Sequence, residues 1–372
     1  MKKNWQVKLF TLVLALTLVA CKTLMGPSDD DIGLSSPPTS APEEVIPDDA
    51  PDTLPNANNE VESCLESETY HPDSGLCYHD DGGAEAPFLA MMDGVTDYGD
   101  EDYSDEEETP QEVNLVIYNI DGDEIFSPQY EDVSADLEDE QEDTVAHEEI
   151  WDFFSAVVPA DYRSFVTYYI VFTDGKNGTL AAVEQALDDP YSWMIEIDIA
   201  DTADTQDLTF TLIHEFGHLL TLNAKQVEVD EYLYNNMDDD DAYFEAEDNC
   251  ATYFTGEGCA NSSSYFYLFF DEFWAGYYDE WLDIEAIEDD DAYYEASDEF
   301  YFAHENEFLS DYAFTNPGED IAESWAFFVT HAKPAGNTIA EEKILFFYDF
   351  PELVALRSEI IARTYSRLVR MQ

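Results

Sequence analysis

The spacing of apolar residues changes abruptly along this chain. Between residues 22 and 110 the apolar positions follow neither a helical nor a strand period, and Pro, Ser, Gly, Asp and Glu predominate. Such a segment buries too little apolar surface to offset the entropy that a chain loses on ordering. We therefore expect residues 21–110 to form a disordered, acidic, low-complexity tether.

From residue 111 onward the apolar residues recur with regular periods. Continuous or alternating apolar runs predict strands over Val113–Ile120, Phe165–Phe172 and Trp193–Ile199. Helical spacing predicts amphipathic helices over Thr144–Val158 and Asp207–Leu222. Together they predict an α+β domain over residues 111–372, with a small mixed sheet followed by a helical C-terminal part. Because acidic residues alternate with apolar ones in Trp193–Ile199, we expect one side of this strand to face solvent.

Residues 224–305, which we call the acidic insert, are rich in acidic and aromatic residues. Within the insert, the segment Asp239–Ala246 recurs almost unchanged as Asp289–Ala296. This predicts two related helix starts, because acids are favourable at a helix N-terminus. A Ca²⁺ site is the functional alternative to a solvated acidic surface. Neither copy matches the EF-hand loop, so the sequence does not support bound Ca²⁺.

The charge balance excludes one class of partner. The chain has 86 Asp and Glu but 13 Lys and Arg, which gives a formal net charge of −73. Such a charge opposes nucleic-acid binding, because Lys and Arg supply the affinity for phosphate backbones. It also opposes adhesion of the folded surface to anionic lipids. With 45% hydrophobic and 15% aromatic residues, the chain nevertheless has enough apolar surface for a packed core.

The N-terminus has the features of an export signal. Lys2, Lys3 and Lys8 precede the apolar run Leu9–Ala20, whose twelve residues are too few to span a membrane. The junction Leu-Val-Ala-Cys21 resembles the bacterial lipobox, which implies a lipoprotein signal peptide over residues 1–20 and lipidation at Cys21. An ordinary signal peptide or an internal apolar segment is the alternative. The resemblance implies an extracytoplasmic protein that is anchored to a bacterial membrane, the outer one if the host has two.

Four cysteines remain after Cys21. They form two close pairs, Cys64 with Cys77 and Cys250 with Cys259. An exported protein meets an oxidising compartment, so we expect two disulfides, Cys64–Cys77 and Cys250–Cys259. A zinc site built from all four cysteines is the alternative, but neither pair has the short internal spacing of a zinc ribbon.

One motif has the composition of a catalytic metal site. His214-Glu215-Phe-Gly-His218 is an H-E-x-x-H sequence within the predicted helix Asp207–Leu222. Residues four apart lie about one turn apart on a helix, so both imidazoles can face a single metal ion. Zinc with three protein ligands lowers the pKa of a water toward ~7, and the neighbouring Glu215 can then act as general base. We therefore expect one catalytic Zn²⁺ bound by His214 and His218.

The third ligand is less directly marked. Metzincins place a histidine six residues after the motif, but Ala224 occupies that position, and Thr221 replaces their glycine. A glutamate on a second helix is the remaining common solution. Glu319 is the best candidate, because Pro317 and Gly318 mark a helix start just before it. Glu323, one turn later, and His304 are the alternatives.

The two motifs together resemble the catalytic domain of anthrax lethal factor and related bacterial gluzincins. The likeness rests on His214-Glu-Phe-Gly-His218 and on Tyr312-x-x-Thr-Asn-x-x-Glu319-x-x-Ala-Glu323, within residues 190–225 and 305–365. It implies a zincin-like fold in which Glu319 is the third zinc ligand and Tyr312 faces the scissile carbonyl. Glu323 would be a partner of a ligating histidine. Glu319 lies 101 positions after His218, a much longer spacing than in lethal factor.

Two functional hypotheses follow. The first is a membrane-anchored zinc metalloendopeptidase that hydrolyses peptide bonds, with Glu215 as general base and Tyr312 as the group that stabilises the oxyanion. Its peptide or protein substrate would pair with the exposed edge of the strand Trp193–Ile199. The second is a non-catalytic lipoprotein on the same fold that binds zinc or a partner protein. The presence of Glu215 favours the enzyme. His147 and His331 are expected to be surface or boundary residues of amphipathic helices, with their hydrogen bonds satisfied.

Overall fold

The computed structural model describes residues 68–71, 76–79, 83–95 and 112–371, except 177, 238 and 288. The predicted signal peptide, Cys21 and most of the predicted tether lie outside the described residues. The same holds for Cys64, so the predicted Cys64–Cys77 disulfide stays a prediction. None of the helices in the described part of the chain has the length and apolar character needed to cross a membrane.

The described chain has a mixed α+β architecture. Its strands are β1 Glu68–His71, β2 Leu76–His79, β3 Val113–Asp121, β4 Glu124–Tyr130, β5 Val166–Thr173, β6 Ala181–Gln185, β7 Trp193–Asp198, β8 Val227–Val229 and β9 Gly258–Ala260. Its α-helices are α1 Glu85–Met91, α2 Glu138–Glu142, α3 Thr144–Val157, α4 Thr205–Leu222, α5 Glu231–Tyr234, α6 Asp240–Asn249, α7 Tyr265–Phe273, α8 Tyr278–Glu285, α9 Asp290–His304, α10 Pro317–Thr330, α11 Ile339–Phe346 and α12 Pro351–Met371. The three strands and two helices expected from the hydrophobic pattern are all present, within one or two residues of the predicted bounds.

The central sheet has five strands in the order β4-β3-β5-β7-β6. Only β5 and β7 are parallel, and the other neighbours pair antiparallel. The expectation that Trp193–Ile199 forms the exposed edge is therefore wrong, because β7 lies between β5 and β6. The edge strand on this side of the sheet is β6, and β4 forms the opposite edge. The sequence of β6, Ala-Ala-Val-Glu-Gln, has no pattern that marks it as a strand.

The expected solvent-facing side of β7 is also wrong, because all six of its residues are buried. Trp193, Ile195 and Ile197 belong to the main hydrophobic core. Met194 packs with Ile170 and Phe172 in a second, smaller cluster. The alternation of apolar and acidic residues therefore separates two buried faces of the sheet, one of which contains Glu196 and Asp198.

The core lies between the sheet and the long helices. The largest buried side chains include Trp151 of α3, Phe216 of α4 and Trp325 of α10, with Tyr169 of β5. The ring of Phe216 meets Trp325 edge-on at 5.9 Å, which joins α4 to α10. These two helices contain the candidate metal ligands, so the core determines the relative position of the ligands.

The acidic insert folds into β8, β9 and helices α5 to α9. Both copies of its repeated segment begin helices, as expected: Asp239 accepts a hydrogen bond from the N–H of Asp241, and Asp289 accepts one from Ala292. The disulfide Cys250–Cys259 is present, which confirms that prediction.

The two histidines expected at the surface or at its boundary, His147 and His331, are not in the group formed by the motif histidines. His147 is fully buried, and its ring nitrogens are within 2.9 Å of the Tyr118 hydroxyl and the Glu140 carbonyl. His331 follows the last residue of α10 and stacks on Phe327. The expected surface or boundary position is therefore wrong for His147, because helix α3 turns this face into the core, whereas His331 is half-buried as expected. Both histidines have hydrogen-bond partners.

Candidate metal centre

Helix α4 presents both histidines of the motif on one side. Its first turn is capped by Asp204, whose carboxylate accepts hydrogen bonds from the N–H groups of Gln206 and Asp207. His214 and His218 lie one turn apart, and their Nε2 atoms approach to 3.0 Å. The side chain of His214 is 2% exposed and that of His218 is 13% exposed, so solvent reaches the pair on the side of His218.

Helix α10 brings Glu319 to the same point. Asn316 caps this helix by accepting hydrogen bonds from Gly318 and Glu319, and Pro317 occupies the first turn. Glu319 Oε2 lies 3.0 Å from Nε2 of His214 and 3.3 Å from Nε2 of His218. Two histidines of α4 and a glutamate about a hundred residues later in the sequence thus converge on one point.

The two helices can approach this closely because of Gly217. A Cβ atom placed on Gly217 would lie 2.9 Å from Cα and 3.2 Å from Cβ of Ala322. The small residues at the crossing let α4 and α10 touch one turn from Glu319. The glycine inside the H-E-x-x-H motif is therefore required by helix packing.

The geometry of the three donor atoms fits zinc. Zinc bonds of about 2.0–2.1 Å in a tetrahedral arrangement place ligand atoms roughly 3.3 Å apart. The separations here are 3.0, 3.0 and 3.3 Å. Two imidazole nitrogens and one carboxylate oxygen also form a common donor set of catalytic zinc. Among the described residues, these three form one of two groups whose ligand atoms lie within 4.8 Å of one another.

The electrostatics of the three side chains are strongly coupled. Burial disfavours the charged form of Glu319, but the two facing histidines outweigh it and hold the pKa of this carboxyl well below its usual range. Burial opposes protonation of His218 as well, yet Glu319 raises its pKa to about 9. The pKa of His214 is lowered, chiefly by burial. The cluster therefore holds an ionised carboxylate that is balanced by the charge of the facing imidazole of His218.

The side chain of Glu215 extends from α4 to the edge strand β6. It is 7% exposed, and its carboxylate accepts a hydrogen bond from the backbone N–H of Val183 in β6. Burial is the main reason that its pKa is raised to about 8. A carboxyl group with a pKa near neutrality can accept and return a proton, as a general base and acid must.

The structure also places the other predicted residues. The ring of Tyr312 lies 5.9 Å from the ring of His214, just before the short 3₁₀ turn Ala313–Thr315. Glu323 is fully buried and accepts a hydrogen bond of 2.6 Å from the hydroxyl of Ser310. His304, an alternative third ligand, is 3.0 Å from Glu307 and is not in the group with His214 and His218.

The second group of carboxylates was not expected from the sequence. Asp198 is the last residue of β7, and Asp174 and Asp201 lie in the turns that follow β5 and β7; ligand atoms of all three lie within 4.8 Å of one another. Burial raises the pKa of Asp198 to about 7, while its oxygens accept hydrogen bonds from the N–H groups of Asp174 and Ala200. The acidic repeats of the insert, where Ca²⁺ had been considered, are in neither group among the described residues.

No protein-family model, curated protein or solved structure shows a significant match to this chain. The interpretation of the metal centre therefore depends on its own geometry. The arrangement brings together three side chains that could hold a metal ion, a buried carboxyl group beside them and a tyrosine ring next to His214.

Proposed function

We propose that this protein is a zinc-dependent metalloendopeptidase with a zincin-like domain, anchored outside the cytoplasm through Cys21. The observation that carries the proposal is the convergence of His214, His218 and Glu319 with zinc-like separations. The neighbouring Glu215 supports catalysis over simple metal storage, because a storage site needs no buried proton acceptor beside its ligands.

Each residue has a defined task in this proposal. His214, His218 and Glu319 hold the ion, which supplies a Lewis acid and a water of lowered pKa when it is bound. Glu215 takes the proton of the attacking water and passes it to the leaving amine. Its contact with β6 keeps the carboxylate beside the edge of the sheet.

Tyr312 would stabilise the oxyanion. Its ring adjoins that of His214, on the rim of the metal centre. A neutral phenol that donates a hydrogen bond to the developing negative charge acts mainly in the transition state. This is the role that the resemblance to lethal factor implies for the same position.

The substrate would be an extended peptide that pairs with β6. This strand is at the edge of the sheet, and its Val183 lies next to Glu215. A peptide that adds to this edge is held by main-chain hydrogen bonds, with its scissile bond near the metal centre. The edge function that the sequence assigned to Trp193–Ile199 thus moves to Ala181–Gln185.

The test compares the mature chain with its Glu215→Gln variant on a peptide library. We expect zinc-dependent cleavage by the wild type, loss of cleavage in the variant, and equal zinc content in both. Glu196→Gln is a matched control, because Glu196 is also a buried glutamate but lies outside the metal centre. Bound zinc without cleavage of any peptide would favour a non-catalytic zinc- or partner-binding lipoprotein instead.

A further inference from the structure

Asp320, the residue after Glu319, makes buried contacts of its own. Its Oδ2 atom lies 2.6 Å from Nζ of Lys343 and accepts a hydrogen bond of 2.7 Å from Nε1 of Trp274. The side chains of Asp320 and Lys343 are both completely buried. Glu319 therefore contacts the two histidines of the motif, whereas Asp320, the next residue of α10, forms a buried ion pair with Lys343.

The partners of Asp320 come from two other parts of the chain. Lys343 belongs to α11, and its Nζ also lies 4.0 Å from the centre of the Phe308 ring. Trp274 follows the last residue of α7, within the acidic insert. The insert is thus in direct contact with the first turn of the helix that presents Glu319.

Two buried charges are costly unless their geometry is good and their remaining hydrogen-bonding capacity is used. At Asp320 the ion pair and the indole N–H meet on Oδ2, whereas Oδ1 has no hydrogen-bond partner among the described residues, so the contacts at Oδ2 supply the compensation for burying this carboxylate. Any movement of the first turn of α10 must break these contacts. Because residues 319 and 320 share one helical turn, such movement would also displace Glu319 from the two histidines.

We infer that Asp320 is a positioning residue that fixes Glu319 through its contacts with Lys343 and Trp274. The inference rests on the proposed metal centre. Asn316 accepts hydrogen bonds from the N–H groups of Gly318 and Glu319 in the same turn, and Asp320 connects this turn to α11 and to the insert. The acidic insert thereby contributes to metal binding through Trp274, although none of its residues is a proposed ligand.

The test measures zinc affinity and the visible spectrum of the Co²⁺-substituted protein, which reports ligand geometry. Trp274→Phe removes the indole donor and keeps an aromatic ring. We expect zinc affinity to fall about tenfold, the lower end of the effect of losing a group that orients a metal ligand, and the Co²⁺ spectrum to change. The double variant Asp320→Asn/Lys343→Met removes both charges together, and we expect the same two effects from it.

Trp281→Phe is the matched control, because Trp281 is also a buried tryptophan of the insert and contacts Trp274 edge-on. We expect it to lower thermal stability while zinc affinity and the Co²⁺ spectrum stay as in the wild type. Wild-type affinity and spectrum in Trp274→Phe would overturn the inference and leave the proposed function intact. Failure of the wild-type protein to bind zinc at all would overturn both.

Discussion

Gly217 and Ala322 are in contact at the point where α4 crosses α10, with no space for a side chain on the glycine. Ala322 lies one turn after Glu319, and Gly217 lies directly before His218. This contact sets the distance between the ligands of the two helices. A small change here should therefore act on the metal centre without altering any ligand.

Gly217→Ala should lower both stability and zinc affinity. The added methyl group must push α10 away, at a cost typical of overpacking, about 1–3 kcal/mol. Separation of the helices should weaken zinc binding at least tenfold, as measured by competition with a chelator. Gly276→Ala is the control, because a Cβ there meets no atom within 4 Å. Unchanged zinc affinity in Gly217→Ala would show that the helix contact does not set the ligand distances.

The third ligand can be distinguished from its neighbour one turn later. Glu319→Ala should almost abolish zinc binding, because two histidines alone do not hold the ion tightly. Glu323→Ala should weaken it only by about 10–100-fold, since Glu323 contacts Ser310 and is proposed to act through another residue. Zinc content after dialysis separates the two. Loss of zinc in Glu323→Ala with retention in Glu319→Ala would reverse the assignment.

Tyr312→Phe should reduce turnover while leaving the fold and the metal in place. The phenol is proposed to act mainly in the transition state, so kcat should fall about 10²–10³-fold with little change in KM. Tyr162→Phe is the control, because the ring of Tyr162 packs edge-on against Phe216 of α4 and Tyr162 is not a proposed site residue. A Tyr312→Phe protein with wild-type turnover would leave the oxyanion without an identified partner.

The buried Glu196 should make stability depend on pH. Burial, followed by the negative charges of Glu184 and Glu112, raises the pKa of Glu196 from 4.5 to about 8. The folded state therefore disfavours the charged form, and the free energy of unfolding should fall as the pH rises from 4.5 to 8.

Glu196→Gln removes this titration. It should stabilise the protein on the order of 2–4 kcal/mol at pH 8.5 and have much less effect at pH 5, as measured by urea denaturation. Glu149→Gln, on the exposed side of α3, should show no comparable gain. An equal effect of Glu196→Gln at both pH values would contradict the proposed cause.

Local sequence patterns predict the candidate metal ligands better than they predict the strands and buried contacts around them. The spacing of His214 and His218 and the cap before Glu319 are properties of single helices, so they are visible in the sequence. The edge strand β6 is not visible in the sequence, because its role depends on its pairing with β7 and not on its own composition.

Burial of polar residues is also hidden from the sequence. An alternating strand such as β7 has the same pattern whether its acidic face is covered or wet, and here it is covered. The contact between Asp320 and Trp274 joins residues 46 apart in sequence. No local period marks such a pair, since tertiary packing alone brings it together.

The most direct test of the account is the metal content and coordination of the purified mature chain. Titration with zinc should reach one ion per chain, and X-ray absorption should show two imidazole nitrogens and a carboxylate oxygen at about 2.0–2.2 Å. His218→Ala should abolish this stoichiometric binding. A chain that binds no zinc, or one in which His218→Ala binds it as tightly as the wild type, would contradict the account.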